Sequence, residues 1–379
     1  MMRHGSGQFS GVMAGVVGLL ALPVAALAQP DPSGIDFVTI RAPGNAAWDG
    51  TGVDEPDPRA IGRGSVGYEY RMGRYEVTTS QWVEFFNAAY DRADAPLPHL
   101  FPPGFWGAAG TTPNNPGRQR WMVPSGNEMR PVGDISWRMA AMYCNWLHNG
   151  KSSDRAAFLS GAYDVSTFGY TGPGGDIFTD QSARSPGATY FIPTWDEWLK
   201  AAHYDPNKYG PNMGGWWNYS DSSNTAPVGG LPPSMGGTGE ANYGYSAGAF
   251  TVPLGAYNVT SPWGLYDVAG ATSEWTETIR TLPVGQRFRV ADGSYWGSAP
   301  GFSLADRVDL AGAEYPSIPV YEFGFRVASV IPGVPTCAPL FALVAWLTVR
   351  KRGAIHDASV PRGVSVGGSR RHPQRLGGQ

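Results

Sequence analysis

Thiols, imidazoles and carboxylates decide what chemistry a chain can attempt, and here the first two are scarce. The 379 residues include two cysteines, Cys144 and Cys337, and six histidines. Two thiolates make neither a four-ligand zinc site nor a disulfide framework. His99, His148 and His203 lie far apart, without the spacings that hold a metal on one helix face. Gly244-Tyr-Ser-Ala-Gly has the form of a nucleophile elbow. An elbow needs a strand before it and a helix after it, whereas Ala249 to Gly255 reads as strand and turn. The only histidines downstream, His356 and His372, stand near the carboxy terminus. No phosphate-cradling glycine loop, H-E-x-x-H or C-x-x-C occurs. What remains is carboxylate chemistry, concentrated in Asp267 and Glu274.

Those two residues belong to the stretch Gly264-Leu-Tyr-Asp-Val-Ala-Gly-Ala-Thr-Ser-Glu-Trp275. Its apolar residues follow neither a 3.6 nor a 2.0 repeat, and two glycines interrupt them. Leu265, Tyr266, Val268 and Trp275 are too apolar for a free loop, so the segment reads as buried and irregular. Its backbone polar groups and its carboxylates then need partners. Two solutions stand side by side. A bound cation takes carbonyl and carboxylate oxygens, or the carboxylates accept hydrogen bonds from loop amides.

The elements that position this stretch punctuate the chain in order. Val66 to Val77 alternates as strands with a turn at Gly73. Thr78 with Gln81 predicts a capping box, and Trp82, Phe85, Phe86 and Ala89 fall on one helical face. Residues 91–130 are rich in Pro, Gly and Asn and predict a long surface excursion. Ser136 caps the next helix, whose apolar face carries Ala140, Tyr143, Cys144 and Leu147, with Gly150 as its stop. Cys144 on that face reads as a small core hydrophobe rather than a reactive thiol. Thr194 with Glu197 predicts a second capping box, and Asp205-Pro206 ends that helix. The segments Arg287–Trp296 and Gly324–Ala328 follow, and Arg326 in the latter is read as a buried arginine with a carboxylate partner.

Composition bounds the rest. Gly (52) and Pro (33) are abundant, yet aromatics reach 13%, which describes irregular backbone pinned by large rings rather than disorder. Net charge is -3, and the basic residues are enriched after Arg350, so the body of the chain is acidic and is a poor nucleic-acid binder. Residues 1–28 read as a secretory signal, with Arg3 at the start, an apolar core over Val12 to Leu27 and Ala26-Leu-Ala as the cleavage site. Residues 331–352 combine a Pro/Gly linker, an apolar run from Ala338 to Val349 and the basic cluster Arg350-Lys-Arg. That run is short for a membrane span. It reads either as an envelope sorting or anchoring signal or as an apolar linker ahead of a disordered basic tail, 353–379.

The central stretch resembles the signature of the formylglycine-generating enzyme, or sulfatase-modifying-factor, family, G-L-Y-D-M-x-G-N-V-W-E-W. Val268, Ala271, Thr272 and Ser273 stand at its departures. Further blocks match in order over roughly residues 36–330: Gly73-Arg-Tyr-Glu-Val-Thr, Pro131-Val-Gly-Asp-Ile-Ser-Trp through Leu147, Phe191-Ile-Pro-Thr-Trp-Asp-Glu-Trp, and Gly324-Phe-Arg-Val-Ala. The resemblance implies one α+β domain related to the C-type-lectin architecture, loop-rich, with short strands and few helices. It also implies calcium, held in one site by residues matching Asp267, Gly270, Thr272 and Glu274, and in another by Asn242 and the carbonyl of Tyr243. The family's founding enzymes use oxygen, and copper held by two cysteines five apart, to convert a substrate cysteine to formylglycine. The matching positions here are Gly297 and Phe302, so neither supplies the soft ligand that copper needs.

The resulting expectation is an exported, envelope-attached or extracellular family member that binds a protein or carbohydrate ligand without oxidising it. No catalytic residue is assigned, copper is not expected, and the carboxy-terminal apolar run is a candidate membrane attachment. The competing expectation is an oxidoreductase of the formylglycine-generating type.

Overall fold

A computed structural model describes residues 1, 30–90, 92–111, 120–172, 177–244, 248, 250–297 and 307–332. The leader, Ser246, Phe302, Cys337 and the apolar run with its basic tail lie outside the described residues.

Two four-stranded sheets frame the domain. The first has the order β1 (Phe37–Ile40), β2 (Tyr70–Gly73), β8 (Ala328–Ser329), β3 (Tyr190–Phe191), and every neighbouring pair is antiparallel. The second has the order β6 (Ala311–Glu314), β5 (Arg287–Asp292), β4 (Ser273–Thr281), β7 (Phe323–Gly324), with β4 and β7 parallel. Only Phe325, Arg326 and Val327 separate β7 from β8. One short segment therefore passes from one sheet to the other, and Arg326 sits at the crossing.

Helices begin where local hydrogen bonding dictates. α1 (Thr79–Ala89) is entered through the reciprocal Thr78–Gln81 capping box. α2 (Trp137–His148) starts at Ser136, whose hydroxyl accepts from the Met139 N–H. The single-turn α3 covers Ala156–Leu159, and α4 (Trp195–His203) has the Thr194–Glu197 box. The excursion over 91–130 carries a ribbon, Ala109–Gly110 against Trp121–Met122, whose Trp121 packs on Phe86 and Trp106.

The core is aromatic: Trp82, Trp137, Trp146, Trp198 and Trp275 are all buried. Cys144 is fully buried among them, and burial raises its thiol pKa well above the ordinary value. This loop-rich α+β domain agrees with the expected class. Two local expectations change. Ser273, Glu274 and Trp275 are not loop but the start of β4, because pairing to β5 and β7 supplies ladder partners that no local pattern reveals. The strand expected near Thr251 is absent among the described residues, where the chain turns at Gly255 (φ +78).

Candidate functional site

The signature stretch wraps around one buried arginine. Entry into β4 points Glu274 inward, where Arg326 Nη2 and Nε donate to Oε1 and Oε2, each at 2.6 Å. Trp198 Nε1 adds a third hydrogen bond to Oε2 at 2.9 Å. Both members of the pair are fully buried. Arg326 also donates to the carbonyls of Gly73 at 3.2 Å and Tyr266 at 3.1 Å, tying the crossing segment to β2 and to the loop. Such a planar fork matches a carboxylate in a way lysine cannot.

A second carboxyl group lies close by. Glu76, from the opening block, accepts the Thr272 N–H at 3.1 Å. Burial first, and the charge of Glu274 second, raise its pKa well above the ordinary range. Asp267 adopts φ +54 and accepts the Gly255 N–H at 2.5 Å, and burial pushes its pKa to about 6.

Asn242 forms a parallel bridge with Gly270, and its carbonyl accepts the Ala271 N–H at 3.2 Å. The crossing is close: a Cβ on Gly270 would lie 2.4 Å from the Asn242 carbonyl oxygen. Gly270 therefore has two needs for glycine, the contact and its φ of +90°. The neighbouring Tyr243 donates its hydroxyl to the Pro227 carbonyl.

The structure thus brings Asn242, Asp267, Gly270, Thr272 and Glu274 together, with Tyr243 flanking them. Their fit to calcium is uneven. Asn242 Oδ1 is buried without a hydrogen-bond partner, as a waiting ligand oxygen would be. Glu274 accepts three hydrogen bonds, two from Arg326 and one from Trp198. Among the described residues, no three Asp, Glu, His or Cys side chains converge as a metal-holding group.

A different surface adjoins Gly297. Phe105 stacks on Phe250 (centroids 5.1 Å) and tilts against Tyr321 (6.0 Å). Trp296 contacts Phe250 (6.2 Å) and Tyr321 (6.5 Å), and Tyr295 meets Tyr321 edge-on (6.0 Å). Phe105 and Tyr321 remain 36% and 41% exposed, so the cluster opens to solvent. Gly133 lets it close, since a Cβ there would lie 2.4 Å from the Phe250 ring.

Sequence reasoning missed this cluster, and it missed Glu76. Its rings come from four separate segments, and the motif containing Phe105 names no chemistry of its own. Glu76 stood within a recognised block, where an acidic residue among apolar neighbours was the available signal. Also missed was Arg184, which pairs with Glu197 at 2.7 Å and Glu277 at 3.3 Å while its guanidinium lies 3.7 Å from the Phe191 ring centre.

Residues 26–331 match a family model described as the sulfatase-modifying factor enzyme 1-like domain. No match was found among curated proteins. Solved structures similar to this chain include the crystal structure of CarF, with 18% identity, a TM-score of 0.48 and coverage of 78% of this chain and 98% of that one. Treponema denticola variable protein 1 has 17% identity, a TM-score of 0.46 and coverage of 78% and 95%. PvdO from Pseudomonas aeruginosa has 14% identity, a TM-score of 0.42 and coverage of 80% and 97%.

Proposed function

Because the chain belongs to the sulfatase-modifying factor enzyme 1-like family, we propose that it is a member that binds a ligand rather than oxidising one. The carrying observation is the open aromatic cluster beside Gly297. At that position the resemblance calls for a copper thiolate, and glycine stands there. Aromatic faces suit the apolar faces of sugars or the side chains of a peptide, and they offer large contact area at little entropic cost. The ligand is accordingly a carbohydrate or a protein segment. Export is part of the same proposal and rests on the sequence of residues 1–28. Envelope attachment through Ala338 to Val349 is also part of the proposal and rests on that apolar run and the basic cluster Arg350-Lys-Arg after it. Calcium is part of the same proposal, held around the signature loop by Asn242, Tyr243, Asp267, Gly270, Thr272 and Glu274.

The full chain, incubated with Cu(I), oxygen and a cysteine-containing sulfatase-motif peptide, is expected to leave the peptide unchanged by mass spectrometry while a competent oxidase converts it. Conversion to the aldehyde would overturn the proposal. Oligosaccharide and peptide arrays supply the second arm. Binding by wild type that Tyr321→Ala weakens is the expected result, and binding insensitive to both Tyr321→Ala and Phe105→Ala would place the ligand elsewhere.

A further inference from the structure

The open aromatic cluster has acidic flanks. Asp134 follows Gly133, the glycine that lets the cluster close, and its Oδ2 accepts the Gly104 N–H at 2.8 Å, beside Phe105. Asp134 holds a left-handed φ of +61, a conformation uncommon outside glycine. The Gly133 N–H donates to the Phe105 carbonyl at 2.8 Å, so the carboxylate and the ring are set on one pinned crossing. Glu322 directly follows Tyr321, and its carboxylate lies against the Tyr321 hydroxyl. The turn that carries both is closed by the Phe323 N–H on the Val320 carbonyl and tied to β4 by the Ser273 N–H on the Glu322 carbonyl, each at 2.9 Å.

Neither carboxylate has a cation of its own. Among the described residues, Asp134 and Glu322 enter no ion pair. Glu322 Oε2 is buried and accepts no hydrogen bond, which is costly for a charged oxygen. Burial, with the charge of Glu314 added, raises the Glu322 pKa above its ordinary value.

The rings lack cations too. Elsewhere in the domain basic side chains cover aromatic faces. Arg289 lies 3.7 Å from the Trp137 ring centre, Arg184 lies 3.7 Å from that of Phe191, and Lys208 lies 4.3 Å from that of Trp217. Among the described residues, no Lys or Arg lies over Phe105, Phe250 or Tyr321. Open rings and unpaired carboxylates therefore share one surface.

We propose that the ligand of this cluster presents an organic cation, an alkylammonium or guanidinium group, to Phe105 and Tyr321, with Asp134 and Glu322 as its countercharges. An aromatic face attracts a cation through its quadrupole, and the attraction grows as the cation leaves water. The two carboxylates strengthen it and disfavour acidic ligands. A neutral sugar or an apolar side chain would use the rings and leave both carboxylates unpaired. The inference rests on the cluster being the binding surface, and it narrows the ligand by charge. The same chemistry serves a basic side chain on a peptide segment and a free quaternary amine.

Calorimetric titration of the full chain with matched probes tests the assignment and separates the two sources. Choline is paired with its neutral tert-butyl isostere, and acetyl-arginine amide with the neutral citrulline analogue. At least one cation is expected to bind about fivefold or more tightly than its isostere, and which pair shows the preference identifies the source. Tyr321→Ala weakens both members of that pair. Glu322→Gln and Asp134→Asn keep shape and remove charge, and asparagine tolerates the left-handed φ. Combined, they erase the preference and leave the isostere's affinity unchanged, with circular dichroism checking that each variant is folded. Equal affinity for cation and isostere, both weakened by Tyr321→Ala, would overturn the charge assignment and leave the cluster as a binding surface. A preference that survives the double variant overturns it as well. So does a chain that binds neither cation, and uncharged oligosaccharides read against Tyr321→Ala then show separately whether the cluster binds at all.

Discussion

Arg326 and Glu274 meet through two parallel hydrogen bonds of 2.6 Å although 52 residues separate them in sequence. Each comes from a different edge of the same crossing: Glu274 from the start of β4, and Arg326 from the link between β7 and β8. Removing both charges from water is costly, and only the paired geometry offsets it. The pair is thus the point at which the signature loop, both sheets and α4 are registered against one another.

Arg326→Met alone is expected to destabilise the domain by about 3–5 kcal/mol, because it strands a buried carboxylate. Adding Glu274→Gln should recover part of that loss, since the two sites are directly coupled. Urea unfolding of the single and double variants measures both. Strict additivity would contradict the pairing.

Gly270→Ala tests the loop crossing. The new Cβ meets the Asn242 carbonyl oxygen at 2.4 Å and must hold φ near +90°. A loss of at least ~2 kcal/mol is expected from strain and contact together. Thermal unfolding with an unchanged midpoint would mean that the crossing is looser than described.

Capping separates from charge pairing at α4. Thr194→Ala removes a cap worth about 1 kcal/mol. Glu197 both completes the box and accepts Arg184 at 2.7 and 3.0 Å, so Glu197→Ala should cost clearly more. Equal losses in chemical denaturation would reduce Glu197 to a cap alone.

His203 makes the fold sensitive to acid. Burial depresses its pKa from 6.5 to about 3, so the folded state keeps it neutral while the unfolded chain takes up a proton below 6.5. Its contribution is complete above pH 6.5 and is lost as pH falls toward 3, at up to about 1.4 kcal/mol per unit. Stability measured from pH 7 to 4 should fall more steeply for wild type than for His203→Gln. Parallel curves would exclude the assignment.

Cys144 is expected to resist alkylation by iodoacetamide in the native state and to react once urea exposes it, as read by peptide mass mapping. Its thiol is buried and its pKa raised, and only the thiolate reacts. Native-state labelling would reopen a chemical role for this residue.

Helix starts were legible in the sequence because a cap is local: Thr78 with Gln81, Ser136 with Met139 and Thr194 with Glu197 each act within three residues. The family blocks, the buried arginine with a carboxylate partner and the inert Cys144 were legible for the same reason, since residue type and period carry them. Which carboxylate pairs with Arg326 was not. Asp267 and Glu274 look alike in the chain, and only the parallel β4–β7 pairing brings Glu274 onto the guanidinium and leaves Asp267 against the Gly255 amide. Glu76 meets Thr272 across 196 residues, and the rings around Trp296 gather from segments no periodicity links. The tertiary structure decided these contacts because hydrogen bonds and ring packing depend on distance in space, while a sequence pattern records only distance along the chain.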